Sequence, residues 1–322
     1  VLSRFRESAY APFAYRGGLY ALPEQQSFLV MFYRSDILAD LGIAAPSVQQ
    51  PWTWDDIRDC LPTLQKNNMS ILMETGANAN TNGLGSFAML LYQRGGAFYT
   101  DDLTATALDS ETAVEAFRFW TDLYNRGGLP GIFNLANRFR TGESPIAIAD
   151  FSLYNTLAVS APEIQGLWEM AMVPGTRRED GTVDYSSYSS STGVVLLADS
   201  EHKAAAWDYM KWWTSAQAQS YFGKEMESLL GASARYPTAN LEAMGSLGWT
   251  AQASRVLTAQ AAWAKAVPEV PGGYYLPRYI NNAFRAATRE TGRVDAREAI
   301  LTYAQVIDDE VAQKNEEFGL NS

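Results

Sequence analysis

Two α/β lobes of very unequal size, with mixed sheets joined by a multi-strand hinge, are the fold this sequence predicts, and three observations predict it. Phe28 to Tyr33, FLVMFY, is an apolar run bounded by turn signals, as expected of a strand buried on both faces in a helix-covered sheet. Strand patterns then alternate with helical patterns along the rest of the chain. Two polar steps, Glu24 to Ser27 and the hydroxyl-rich SYSSSTG of Ser187 to Gly193, interrupt that alternation. The first reads either as an edge loop or as a chain crossing between two domains, and the second as a flexible loop. At 322 residues and 35.5 kDa the length favours two domains over one.

Taken in order, residues 1 to 14 mix charge and aromatics and read as a short helix remnant ending at Pro12. Gly17-Gly18 makes a turn before Leu19 to Leu22, which is extended and halted at Pro23. After FLVMFY, Ser35 is expected to cap a short helix, Asp36 to Leu41. Thr53 caps the next helix, with Asp56 completing an acidic capping box and Trp54, Ile57, Leu61 and Leu64 as its buried stripe. Ile71 to Met73 reads as a strand, and the Asn-rich loop Glu74 to Gly83 leads to an apolar helix, Phe87 to Tyr92. Ser110 opens a clear helix whose Val114, Phe117, Trp120 and Tyr124 recur at three and four, closed by Gly127-Gly128. Trp120 is expected in the core. Pro145 to Ala149 and Trp168 to Val173 read as strands, Asp180-Gly181 as a hairpin turn, and Val194 to Ala198 as a further strand. Helices are expected over 250–265, 276–289 and 295–317.

Composition excludes several function classes. Hydrophobic residues at 47% and aromatics at 12% rule out a disordered chain. A net charge of −11 argues against nucleic acid, whose binding is built on basic side chains. No run approaches the length of a membrane-spanning helix. Cys60 is the only cysteine, so no disulfide framework or Cys-based metal site is available, and a buried inert thiol is expected. His202 is the only histidine and has no nucleophile or acid at a recognisable spacing. Phosphate-cradling, zinc-protease and nucleophile-elbow patterns are absent, and no cofactor or metal is implied. Acidic residues are plentiful, but no strand end advertises the carboxylate pair that glycoside chemistry needs.

The serial order YxGxLYALP, polar step, apolar strand, YRSDILADLG and PxTWDDI resembles the extracellular solute-binding proteins of ABC importers, in the sugar-binding group that includes maltose-binding protein. The resemblance continues through GGAFYTDD, FRTGESPIAI, the VPGT turn, AAAWDYMKWWTSAQAQ and YINNAFRAATRETGRVDAREAI, and so covers nearly the whole chain. It implies a periplasmic-binding-protein-like fold, a carbohydrate ligand (an oligosaccharide), a membrane permease as partner, a monomer, and no catalysis. It also implies an extracellular setting, as a periplasmic protein or a cell-surface lipoprotein. The chain begins at Val1 without a signal segment or lipid-attachment cysteine, and the resemblance implies first-lobe elements ahead of Tyr15. The expected division is therefore 1–24 with 193–235 as a remnant of the N-terminal lobe, and 28–186 with 238–322 as the C-terminal lobe. Crossings are expected near 24–28, 187–192 and 231–237.

Sugar recognition needs rings for the apolar C–H face and fixed polar groups for the hydroxyls. Tyr274, Tyr275 and Tyr279, clustered after PGG, are the expected rings. Gln25, Gln26 and Ser27 would supply neutral hydrogen bonds from the first crossing, Tyr188 from the second and Asn80 from the Asn-rich loop. By the resemblance, Asp150, Phe151 and Tyr154 contact ligand past the 145–149 strand. Arg278 is the one candidate for holding an anionic solute. A carboxylate-using glycoside enzyme and a surface adhesion or interaction protein remain the alternative functions.

Overall fold

The computed structural model describes residues 1–73 and 83–320. A six-stranded mixed sheet runs through it. We name its strands β1 (Leu22–Arg34), β2 (Ile71–Met73), β3 (Ile146–Asp150), β4 (Trp168–Ala171), β5 (Ser187–Val194) and β6 (Ala264–Ala266). The order is β6-β5-β1-β3-β2, and β4 also pairs with β1. β1 is antiparallel to β3, β4 and β5, while β2–β3 and β5–β6 are parallel.

The polar step at Glu24 is neither a loop nor a break, because β1 continues straight through it. Its first half pairs with β5, from Leu22 opposite Val194 to Phe28 opposite Ser189. Its second half pairs with both β3 and β4, so FLVMFY has strands on both edges and is buried on both faces as expected. The register slips between Pro23 and Gln25, and this bulge leaves Glu24 outside the ladder. The Glu24 carboxylate then accepts from the Trp213 indole at 3.1 Å and the Tyr236 hydroxyl at 3.0 Å. A third segment pairs with this half of β1 on the edge opposite β5, with Gln26 N–H donating to the Pro237 carbonyl and Ala239 N–H to that of Glu24.

Strand alternation divides the apolar residues between two cores. Leu29, Met31 and Tyr33 face one side, covered by α1 (Trp54–Lys66), α2 (Leu84–Gln93) and α3 (Glu111–Asn125). Phe28, Val30 and Phe32 face the other, covered by α4 (Leu153–Ser160) and other segments near Trp249. Further along the chain come α5 (Lys203–Trp213), α6 (Ala216–Leu230), α7 (Ala251–Ala261), α8 (Leu276–Thr288) and α9 (Ala296–Glu317). Helix α7 belongs to the Phe28 side, and α8 with α9 to the Leu29 side. Trp120 is fully buried, 4.3 Å from the Phe284 ring and stacked on Phe87.

Most local expectations hold. Thr53 and Asp56 form the reciprocal capping box, Ser110 caps α3, and Asp180 turns the Thr176–Arg177/Val183–Asp184 hairpin. Cys60 is buried with its thiol pushed up to about 11, chiefly by desolvation. Three expectations fail, one being the helix expected over 250–265, which ends at Ala261 before Ala264–Ala266 joins the sheet as β6. Ser35 does not cap its helix but is its first residue; Arg34 holds the cap position, and its guanidinium pairs with Asp36. The SYSSSTG segment is the strand and 195–198 is not, because pairing with β1 outweighs the greater apolarity of VVLLA. No helix among the described residues is long and apolar enough to cross a membrane.

Candidate functional site

A pocket of about 330 Å³ opens where β5, the start of α2 and the Pro268–Pro277 segment meet. Strand β5 contributes Tyr188 and the small polar row Ser189, Ser190 and Ser191, and the segment before α8 contributes Glu269, Gly273 and Tyr274. Leu84, Tyr99 and Pro12 complete the wall.

Each ring is aimed by its backbone. Tyr188 lies against the first turn of α2, where a Cβ on Gly85 would sit 2.9 Å from its Cδ1; only glycine leaves room for the ring there. Tyr274 follows Gly272, which adopts φ +80 against the backbone of Glu310. Its ring is 62% exposed and backed by Tyr275 at 4.2 Å. Behind it Tyr275, Tyr279 and Tyr303 follow at 5.8 and 6.2 Å in nearly parallel planes. The Tyr279 hydroxyl donates to Glu310 at 3.4 Å, and Arg278 lies over Tyr275. Of the three expected tyrosines, then, only Tyr274 lines the pocket.

Apart from the exposed Glu269, the polar groups of the pocket are neutral. Ser27 and Ser190 hydroxyls meet at 3.1 Å across the β1–β5 ladder. The Tyr99 hydroxyl and Ser191 Oγ are buried and have no hydrogen-bond partner among the described residues. A buried unpaired hydroxyl costs about 1–3 kcal/mol, which a ligand or water hydroxyl would offset. Partial desolvation raises the Glu269 carboxyl above the ordinary carboxylate value. Burial also raises the Tyr99 phenol, with the Glu269 charge adding to the effect. An aromatic face, a carboxyl acceptor and unpaired hydroxyls together suit a hydroxylated, uncharged ligand.

The remaining expected residues lie elsewhere. Gln26 is buried on the Phe28 side, its amide donating to Ser8 Oγ at 2.9 Å and Ser189 Oγ at 2.8 Å. Gln25 bridges to Thr238. Asp150 accepts from the Ser152 N–H as a turn cap. Phe151, expected at the ligand, is instead a core ring, 1% exposed between Phe28 and Trp249. Tyr154 packs on Trp168 and Trp249 beneath Arg235, in the core opposite the one that Tyr188 joins. A strand end displays successive residues on opposite faces, and the sequence alone did not say which face carries ligand. Asn80 lies outside the described residues. Sequence reasoning missed Glu269, Tyr99 and Gly85. Glu269 stands between two prolines just ahead of the tyrosines, and Tyr99 lies in GGAFYTDD, so both were within reach.

The sequence model of the bacterial extracellular solute-binding protein family matches residues 3–220. An arabinooligosaccharide-binding protein of Halalkalibacterium halodurans is 21% identical over 218 residues, 65% of this chain and 46% of that protein. The chain thus spans about half the length of that relative. Among solved structures, the sugar-binding protein MalE of Xanthomonas citri superposes with a TM-score of 0.77 at 16% identity, covering 99% of this chain and 78% of that one. A solute-binding protein of Thermotoga lettingae bound with α-D-tagatose gives 0.73 at 20% identity, covering 96% and 76%. At such identities these structures speak for the fold, which is periplasmic-binding-protein-like; the family match covers most of the chain, and the chain belongs to the bacterial extracellular solute-binding proteins.

Proposed function

We propose that this chain binds a carbohydrate, an oligosaccharide, outside the cell and delivers it to the membrane permease of an ABC importer without transforming it. The observation that carries the reading is the pocket joining the exposed Tyr274 ring and Tyr188 to the unpaired Tyr99 and Ser191 hydroxyls and the Glu269 carboxyl at its open rim. The family's nature and the sugar-binding relatives support it. Tyr188, Tyr274, Glu269, Tyr99 and Ser190 are the proposed contacts, with Tyr275 and Tyr279 buttressing Tyr274. The protein acts as a monomer, periplasmic or held at the surface by a lipid.

The proposal includes the division into lobes, with 28–186 and 238–322 in one, and 1–24 with 193–235 in the other. Its support is that the two large apolar cores draw their buried members from 28–173 and 253–311. A ligand adding contacts to both lobes would shift an open population toward a closed one.

The test is calorimetry and thermal shift against a panel of mono- and oligosaccharides, with chromatography of the ligand afterwards. A sugar that raises the melting temperature and is recovered intact is the expected result. Tyr274→Ala should weaken that binding by about 1–3 kcal/mol, as loss of a stacked ring does. Turnover products would make the protein a glycoside enzyme. Equal binding by Tyr274→Ala would move the site away from this pocket.

A further inference from the structure

A second hollow, larger than the tyrosine pocket at about 580 Å³, runs between α1 and α3. Its floor is aromatic and held in place. The Trp54 indole N–H donates to Gln93 Oε1 at 2.8 Å, and the buried Gln93 amide donates in turn to the carbonyls of Pro174 and Ser186. Turning the indole away would leave buried polar atoms unpaired. Phe119 meets Trp54 edge-on at 5.4 Å.

Arg94, just past the end of α2, lays its guanidinium over Phe119 at 4.5 Å. One Nη1 hydrogen goes to the Leu90 carbonyl at 3.1 Å, and no carboxylate among the described residues forms an ion pair with it. Burial pulls the guanidinium down to about 10, and only the more distant charge of Glu115 opposes this. The other cations of the groove are engaged. Arg58 pairs with Asp55, Arg126 pairs with Asp122 at 3.4 Å, and Arg177 reaches the Gly181 carbonyl at 3.4 Å. In a chain of net charge −11, four arginines against two aspartates make this lining a local positive spot.

We propose that this groove is a second small-molecule site, taking an organic acid with a flat apolar body, an aryl carboxylate, whose ring lies along Trp54 and Phe119 and whose carboxylate pairs with Arg94. The hollow has the size of small-ligand sites generally, roughly 300–1,000 Å³. A partly desolvated guanidinium beside a fixed aromatic floor offers a fork for the carboxylate and a face for the ring. Leu84, at the far end of the ten-residue α2, lines the tyrosine pocket. About 15 Å of helix therefore separates the two sites, and both can be filled together.

The test is titration of the whole chain with phenylacetate and with the uncharged phenylacetamide at low ionic strength, read by calorimetry and saturation-transfer NMR. Saturable binding of the acid is expected, with the amide at least tenfold weaker. Arg94→Gln should lose the same tenfold for the acid, with its folding checked by melting temperature, and Tyr274→Ala should leave acid binding unchanged. The acid–amide comparison needs no variant and decides the matter if Arg94→Gln folds poorly. Failure of the acid to saturate, equal binding of acid and amide, or an undiminished response in a folded Arg94→Gln overturns the proposal. None of these outcomes bears on the carbohydrate reading, which a sugar titration tests at the other pocket.

Discussion

Helices α3 and α5 are alike in aromatic texture and opposite in fate. FRFWTDLY and WDYMKWW would each pass for a core helix. On α3, Trp120 is 0% exposed, set among Phe87, Phe117 and Phe284. On α5, Tyr209 and Trp212 are each 57% exposed, and Trp207 is also open to solvent. They lean mainly on one another, with Trp212 near Tyr209 and Trp213. The difference lies in what stands opposite: α3 faces α2, α8 and α9 across a filled core, whereas α5 packs chiefly on α6. Leu229 and Leu230 at the end of α6 are exposed as well. An aromatic residue contributes by burial, and burial belongs to a pair of surfaces.

That comparison can be broken at four places. The largest effect is expected from Trp120→Ala, which should cost about 3–5 kcal/mol in denaturant unfolding, since it opens a cavity in a core that cannot collapse around it. A loss below about 1 kcal/mol would erase the distinction between the helices. Next is Gln93→Ala, which strips partners from Trp54, Thr176 and two buried carbonyls. It should cost about 2–3 kcal/mol and raise the quenching of Trp54 fluorescence by solvent.

Glu227→Gln probes the α6 side through pH. The Arg235 hydrogen bonds hold the Glu227 carboxyl below its ordinary 4.5. A lowered folded pKa stabilises the native state above the unfolded value, and that contribution is lost as pH falls through the folded one. Wild type should therefore exceed Glu227→Gln by about 1 kcal/mol at neutral pH, with the gap closing as pH drops below 4.5. A gap independent of pH would mean the pair contributes nothing to folding. The smallest effect is expected from Trp212→Ala, under about 0.5 kcal/mol in this chain. A multi-kilocalorie loss there would show α5 to be covered in solution.

Much of the fold was legible because its signals are local. A six-residue apolar run rich in aromatic and β-branched residues suits a strand sheltered on both faces, and Thr53 with Asp56 or Ser110 with its periodic stripe satisfy helix ends from within a few residues. Of the expected ligand residues, Tyr188 and Tyr274 line the candidate pocket. Tyr274 was aimed by glycine and proline neighbours that are themselves local, while Tyr275 and Tyr279 differ from it only in which way α8 turns. Phe151 and Tyr154 lie past the end of β3, Tyr154 already within α4, and both rings pack into the core on the Phe28 side.

Hence the sequence alone determined most of the elements and their caps, the buried central strand and, through the order of its motifs, the family. Pairing across the chain decided the rest. Ser187–Val194 is a strand because β1 lies beside it, 163 residues away at the Ser27–Ser190 contact. Glu269, Tyr99 and Tyr188 line one pocket only when α2 and the segment before α8 are brought against β5. Such contacts form between residues distant in sequence, where the free energy depends on the surface each finds opposite, and no window along the chain contains both surfaces.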